Sequence, residues 1–403
     1  MSLIKLKLDS LLDITRAISK NTAEEDLYKI FYFTLLVNPQ LSKIAMLVED
    51  KGQWHCKFSN VGGLKSGDTF SLLELNINHF EELLRVNDVF PKTLKNLGLD
   101  IIIPINHKEK MLAMVLISEE QLNHIEDDKD YPIISFIKTV SNIIMTAIEN
   151  KRMSRFALAQ EALRKEIEIA REVQRMLLPK SLPTNNKVDL HVKYIPHYSV
   201  GGDYYDFIPM NDDEFLLCIA DVSGKGVPAS MLMSNFQAAL RTLAKYEKEL
   251  DELVFYLNEL IYNNSNGNKF ISAFFAKCNT KTKTIQYVNA GHPPVYLVSK
   301  KGDISRLSDG CTVLGATDDC FVVDVNRITY TEEDILVMYT DGLTEAMNSE
   351  GKYYEDKLEA VLIFNRINID MRMLAKILIR SLNAFLNTDQ YSDDLTMFFC
   401  KFS

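Results

Sequence analysis

Residues 215–234, FLLCIADVSGKGVPASMLMS, decide how this chain is read. The apolar run 215–220 stops at Asp221, the small residues of Ser223-Gly224-Lys225-Gly226 follow, and Pro228 opens an amphipathic stretch through Met231, Met233 and Phe236. That order predicts a buried strand, a tight turn and a helix start, with one carboxylate held at the strand's end. Gly224 and Gly226 let the backbone pass close to a ligand. A single Asp at such a corner is more often a turn residue than a ligand, so the rest of the chain has to decide.

Three further acidic corners lie in the same half of the chain. Gly202-Asp203 leads into Tyr204-Tyr205-Asp206, Asp341-Gly342 follows the apolar run 335–340, and Asp393-Asp394 precedes the final run 395–399. Carboxylates at strand ends can converge from different strands. A cluster of carboxylates with no compensating Lys or Arg nearby in sequence would repel itself, and hard divalent cations, Mg²⁺ or Mn²⁺, relieve such repulsion. Two such ions can activate water and clamp a phosphoryl group for in-line attack. One corner alone reads as a turn; four in one domain read as a site.

Bulk properties narrow the classes. At 403 residues the chain is long enough for two or three domains, and 47% hydrophobic with 25% charged residues suits packed cores. A formal net charge of −10 argues against nucleic acid or anionic lipid as the main partner. The six cysteines (56, 218, 278, 311, 320 and 400) form no C-x-x-C pair and no metal-finger spacing, so buried reduced thiols are expected. Neither a signal-peptide core nor an 18-residue apolar run occurs, which predicts a cytoplasmic protein with no membrane span.

The pattern divides into three parts. Residues 1–150 read as a small α/β domain, with helices at 8–18 and 23–36 and strand pairs at 43–49/53–58 and 101–105/111–117. That order resembles a GAF-type sensory domain, with a PAS-like module as the alternative. Its ligand is unreadable, and His55 and Cys56 read as ordinary strand residues. Residues 151–187 continue a helix that begins near Pro132, with Phe156, Leu163, Ala170 and Leu177 seven apart. This partial heptad predicts a parallel coiled coil joining two protomers, against the plainer reading of a helix packed on its own domain. Residues 188–403 are strand-rich: strands are expected at 190–195, 214–220, 270–278, 284–290, 294–299, 320–326, 334–340 and 395–402. Helices are expected at 228–245, 250–263, 355–364 and 370–386. The class is α+β with antiparallel sheets.

Taken in order, GGDYYD (201–206), ADVSGKGVPAS (220–230), NAGHPP (289–294), YTDGLTEA (339–346) and SDDLT (392–396) resemble the bacterial metal-dependent serine/threonine phosphatases of the PPM superfamily, in the SpoIIE/RsbU branch that regulates sigma factors. IEIAREVQRMLLP (167–179) is similar to that branch's entry segment, so the likeness covers about 167–403. The opening GGD also begins like a diguanylate cyclase signature, but Tyr204 and Tyr205 replace the pair expected next.

The resemblance implies a β-sandwich flanked by helices with two Mn²⁺ or Mg²⁺ ions at one edge. Asp221 would bridge the ions with the Val222 carbonyl as a further ligand, Asp341 and Asp393 would complete the shell, and Asp203 would bind or orient a metal through water. Asp394 would stand behind the ligands or replace one. Ser223 stands where eukaryotic relatives carry a candidate acid His, and no Arg immediately precedes Gly201. The leaving-group acid and phosphate anchor are therefore open, with Lys225 and the Gly224 and Gly226 amides as candidates for the anchor. His292 is a possible acid but reads better as a turn stabiliser. The implied partners are a phosphoserine or phosphothreonine protein, a STAS-type anti-anti-sigma regulator, and an unknown sensory ligand or activator. The competing readings are a catalytically silent pseudophosphatase scaffold and a phosphatase of small molecules.

Overall fold

A computed structural model describes residues 3–36, 41–71, 84–85, 97–99, 101–107, 110–118, 132–197, 200–247, 249–317, 322–367 and 369–403. The chain forms two compact units, Met1–Glu161 and Ala162–Ser403.

The first unit is a six-stranded antiparallel sheet in the spatial order 69–71, 53–59, 44–50, 110–117, 101–107, 84–85. Helices Leu3–Ser19 and Glu24–Leu36 and the start of Pro132–Leu177 cover one face. Phe31, Ile103, Val115, Ile137, Val140 and Ile144 interlock there, while Leu47, Trp54, Ile102 and Met114 fill a smaller core on the other face. Strand residues alternate between the two, because successive side chains of a strand point to opposite faces. A cavity of about 760 Å³ lies against this unit, lined by Tyr28, Tyr32, His55, Cys56, Lys57 and Phe58 among others. Burial pushes the Cys56 thiol up to about 12, so it is an un-ionised thiol rather than a reactive one.

The second unit is a two-sheet sandwich with helices on both outer faces. One sheet runs 310–311, 284–290, 271–279, 214–222, 204–209, with 326–329 also paired to 284–290. The other runs 304–307, 295–298, 335–339, 395–402, 188–195. Pairing is antiparallel except for the two-residue pairing of 310–311 with 289–290. The unbroken apolar run before Asp221 now has its cause. Leu216, Cys218 and Ala220 face helices Val227–Tyr246 and Leu250–Ser265, while Phe215, Leu217 and Ile219 face the opposing sheet. Strands buried on both faces need apolar residues at every position. Strand Ile335–Tyr339 does the same in the second sheet, sending Leu336 and Met338 inward and Ile335, Val337 and Tyr339 toward helices Glu355–Phe364 and Met371–Leu386.

Several elements depart from expectation. Strand Tyr204–Pro209 was hidden because its polar positions, Tyr205 and Asp206, break the apolar pattern. The strand expected at 320–326 falls partly outside the described residues, Cys320 with it, and the strand found there is Asn326–Thr329. Asp341 opens a short helical turn, Asp341–Thr344. Among the described residues no helix is long and apolar enough to cross a membrane.

Candidate active site

Register brings the acidic corners together. Tyr204 pairs with Ala220 in the first sheet, so the antiparallel ladder carries Asp203 toward Asp221 one step further on. In the second sheet Tyr339 pairs with Met397, and the Thr340 N–H continues the ladder to the Thr396 carbonyl at 3.1 Å. Asp341 and Asp393 thus leave the same end of adjacent strands.

Hydroxyls then tie the sheets to each other. Asp203, only 1% exposed, accepts through Oδ2 from Thr340 Oγ1 at 2.9 Å and from Thr396 Oγ1. Burial and the Asp221 charge hold the Asp203 carboxyl well above its usual range. Asp221 is pushed up to about 7 by burial, then by the charges of Asp341, Asp393 and Asp394. Asp341 is raised by burial and by Glu345 and Asp393. Glu345 was not singled out in the sequence, although it lies one helical turn from Asp341.

Asp394 has a distinct part. Its Oδ1 accepts from the His197 N–H at 2.7 Å and its Oδ2 from the Gly202 N–H at 2.8 Å, so it clamps the loop that delivers Asp203. Gly202 permits a close approach: a Cβ there would stand 2.9 Å from the Val222 carbonyl and 3.2 Å from Asp221 Oδ1. The loop is held from its other side by Gln174, whose Nε2 donates to the Gly201 carbonyl at 2.7 Å and whose Oε1 accepts from the Gly201 N–H at 3.3 Å. Gln174 was not singled out in the sequence, although it lies in the 167–179 stretch quoted there.

Two other polar residues are structural. Asp206, the second carboxylate of GGDYYD, is fully buried against Tyr204 and the Arg241 guanidinium, at 2.7 and 3.0 Å from the latter. His292 is buried, with its Nε2 3.0 Å from the Tyr339 carbonyl, its Nδ1 3.1 Å from Ser272 Oγ, and its backbone N–H on Asn289 Oδ1. Burial lowers its pKa to about 4, so it is neutral at neutral pH and anchors the strand leading to Asp341.

Among the described residues no three His, Cys, Asp or Glu side chains already form a cluster tight enough to hold an ion. The donor chemistry nevertheless fits a hard divalent cation. Asp203, Asp221, Asp341 and Asp393 are mutually repelling carboxylates beside a backbone carbonyl, with Lys225 bound to one of them.

The family model for stage II sporulation protein E (SpoIIE) matches residues 211–403. Residues 211–403 are a SpoIIE-type domain. Among its relatives, the phosphoserine phosphatase RsbU of Bacillus subtilis (strain 168) is 29% identical over 241 residues, covering 59% of this chain and 70% of RsbU. The phosphoserine phosphatase RsbP of the same organism is 26% identical over 186 residues, 45% of this chain and 46% of RsbP. The SiaA-PP2C domain of Pseudomonas aeruginosa superposes with a TM-score of 0.55 at 17% identity, over 61% of this chain and 100% of that domain. This last likeness shows that the fold of the SpoIIE-type domain is PP2C-like. All five motifs read in the sequence lie within this sandwich, but GGDYYD precedes the matched residues.

Proposed function

We propose that this chain is a metal-dependent protein serine/threonine phosphatase whose N-terminal unit senses a ligand or activator. The single observation that carries the activity is the gathering of Asp203, Asp221, Asp341 and Asp393 from the ends of both sheets to one edge. Asp221, Asp341 and Asp393, with the Val222 carbonyl, would hold two Mn²⁺ or Mg²⁺ ions. Asp203 would position a metal or its water, and Asp394 would keep the Asp203 loop in place. The ions, when bound, supply water activation and charge neutralisation at the phosphoryl group. The substrate class follows from the named activity of RsbU and RsbP, and a STAS-type anti-anti-sigma regulator is the partner that suits this branch.

The N-terminal unit, proposed as GAF-like over 1–150, has a cavity lined by aromatic side chains and by charges of both signs, Glu24 and Glu25 with Lys29, Lys57 and Arg155, which would receive a small ligand. The linker, 151–187, carries Phe156 and Leu163 with 66% and 57% of their surfaces exposed, which supports a helix-paired homodimer. Gln174, near the end of that helix, reaches the Gly201 backbone, so the position of the helix bears directly on Asp203.

The test is turnover of p-nitrophenyl phosphate with excess Mn²⁺, by the wild type and Asp341→Ala. Metal-dependent turnover lost in the variant is expected. Wild-type protein that binds Mn²⁺ but never turns over, with any activator, would favour the scaffold instead.

A further inference from the structure

We propose that Lys225 is a tethered cation that occupies Asp393 until a metal ion takes its place, and then anchors the substrate phosphate. The inference rests on the two-metal reading above. Both Asp393 oxygens are already engaged. Oδ1 accepts from the neighbouring Asp394 N–H at 2.9 Å, and Oδ2 receives the Lys225 ammonium at 2.7 Å. The same ammonium lies 3.3 Å from the Ser392 carbonyl. The Oδ1 bond is local to the 393–394 turn and can persist, so a divalent ion that takes Asp393 enters on the Lys225 side. An ammonium and a divalent ion on one carboxylate oxygen repel at contact distance, and one must leave.

Lys225 is built to leave. Its pair with Asp393 is about half exposed, and exposed ion pairs hold weakly. Its neighbours Gly224 and Gly226 have φ of +100° and +72°, and Gly226 caps helix Val227–Tyr246. Both glycines occupy backbone conformations that other residues rarely adopt, so the loop shape is set by the glycines and the lysine stem moves within it. Once displaced, the ammonium remains on its flexible four-carbon stem beside the carboxylates, where an incoming phosphoryl group presents its oxygens. One residue thereby balances the site's charge without metal and grips substrate with it. It also supplies a phosphate anchor to a chain with no Arg immediately before Gly201.

The test is calorimetric, on metal-free full-length protein, comparing wild type, Lys225→Met and Lys225→Arg. Lys225→Met keeps the apolar stem and removes the charge. It is expected to bind Mn²⁺ about fivefold or more tightly than wild type, and inorganic phosphate on the Mn²⁺-loaded protein about fivefold or more weakly. Lys225→Arg restores both toward wild type. A purely structural role would weaken both or neither, so the opposite signs are the signature. Mn²⁺ affinity that is unchanged or weaker in Lys225→Met, or phosphate affinity that is unchanged, overturns the role of Lys225. No Mn²⁺ binding by any of the three proteins overturns the two-metal reading itself.

Discussion

His292 ties a local packing arrangement to a measurable pH dependence. Its ring is buried between Ser272 Oγ and the Tyr339 carbonyl, and burial lowers its pKa from 6.5 to about 4. The unfolded chain therefore takes up a proton below pH 6.5 that the folded chain refuses until about pH 4. Stability from this group is complete above 6.5 and is lost as pH falls toward 4. Between pH 7 and pH 5 the loss amounts to about 2 kcal/mol, since each pKa unit is worth about 1.4 kcal/mol. Asp221 acts in the opposite sense, because its raised carboxyl favours the folded state at low pH and gives that up as pH rises through about 7. Comparison with His292→Gln removes this background, which both proteins share. Glutamine keeps one donor and one acceptor but cannot titrate. Urea denaturation of the metal-free protein, followed by circular dichroism at pH 7 and pH 5, should show a pH penalty about 2 kcal/mol smaller in the variant. The histidine NMR resonance missing from the variant should titrate near pH 4 in the wild type. Equal pH penalties, or titration of that resonance near 6.5, would refute the burial argument. A neutral His292 also donates no proton at neutral pH. The variant's activity should accordingly keep the wild-type pH profile even where displacement of Tyr339 lowers kcat.

Two further outcomes test the site and the linker. Because Asp221 holds a proton up to about pH 7 in the metal-free protein, that proton competes with the ion, and Mn²⁺ should bind more tightly at pH 8 than at pH 6; calorimetric affinities that do not change over this range would count against Asp221 as a ligand. Leu163→Lys places a charge on the heptad stripe and should convert a species of twice the 46.1 kDa chain mass into monomer by sedimentation equilibrium; a wild type already monomeric at all concentrations removes the paired-helix linker.

How far the site could be read in advance differs from residue to residue. Asp221 was legible because an apolar run buried on both faces ends abruptly there, and a strand end is a local property. Asp341 and Asp393 were legible for the same reason. Thr340 and Thr396 stood beside those residues in the sequence, yet their hydroxyls acquire a function only when the two sheets face each other across Asp203. Gln174 was illegible, since a polar residue on a charged helix looks solvent-facing until the Gly201 backbone is placed against it. Asp206 illustrates the converse: it shares a motif with Asp203, but Arg241, far away in sequence, claims it for the core.

The sequence by itself determined the class of the C-terminal half, the order of most of its strands and helices, and the carboxylates beside them, because apolar periodicity and chain-breaking residues act over a few positions. Only the tertiary structure decided which of those carboxylates meet, which one clamps a loop, and which cation already sits among them. Those are matters of register between strands and of facing between sheets, set by packing across distances that no local pattern encodes.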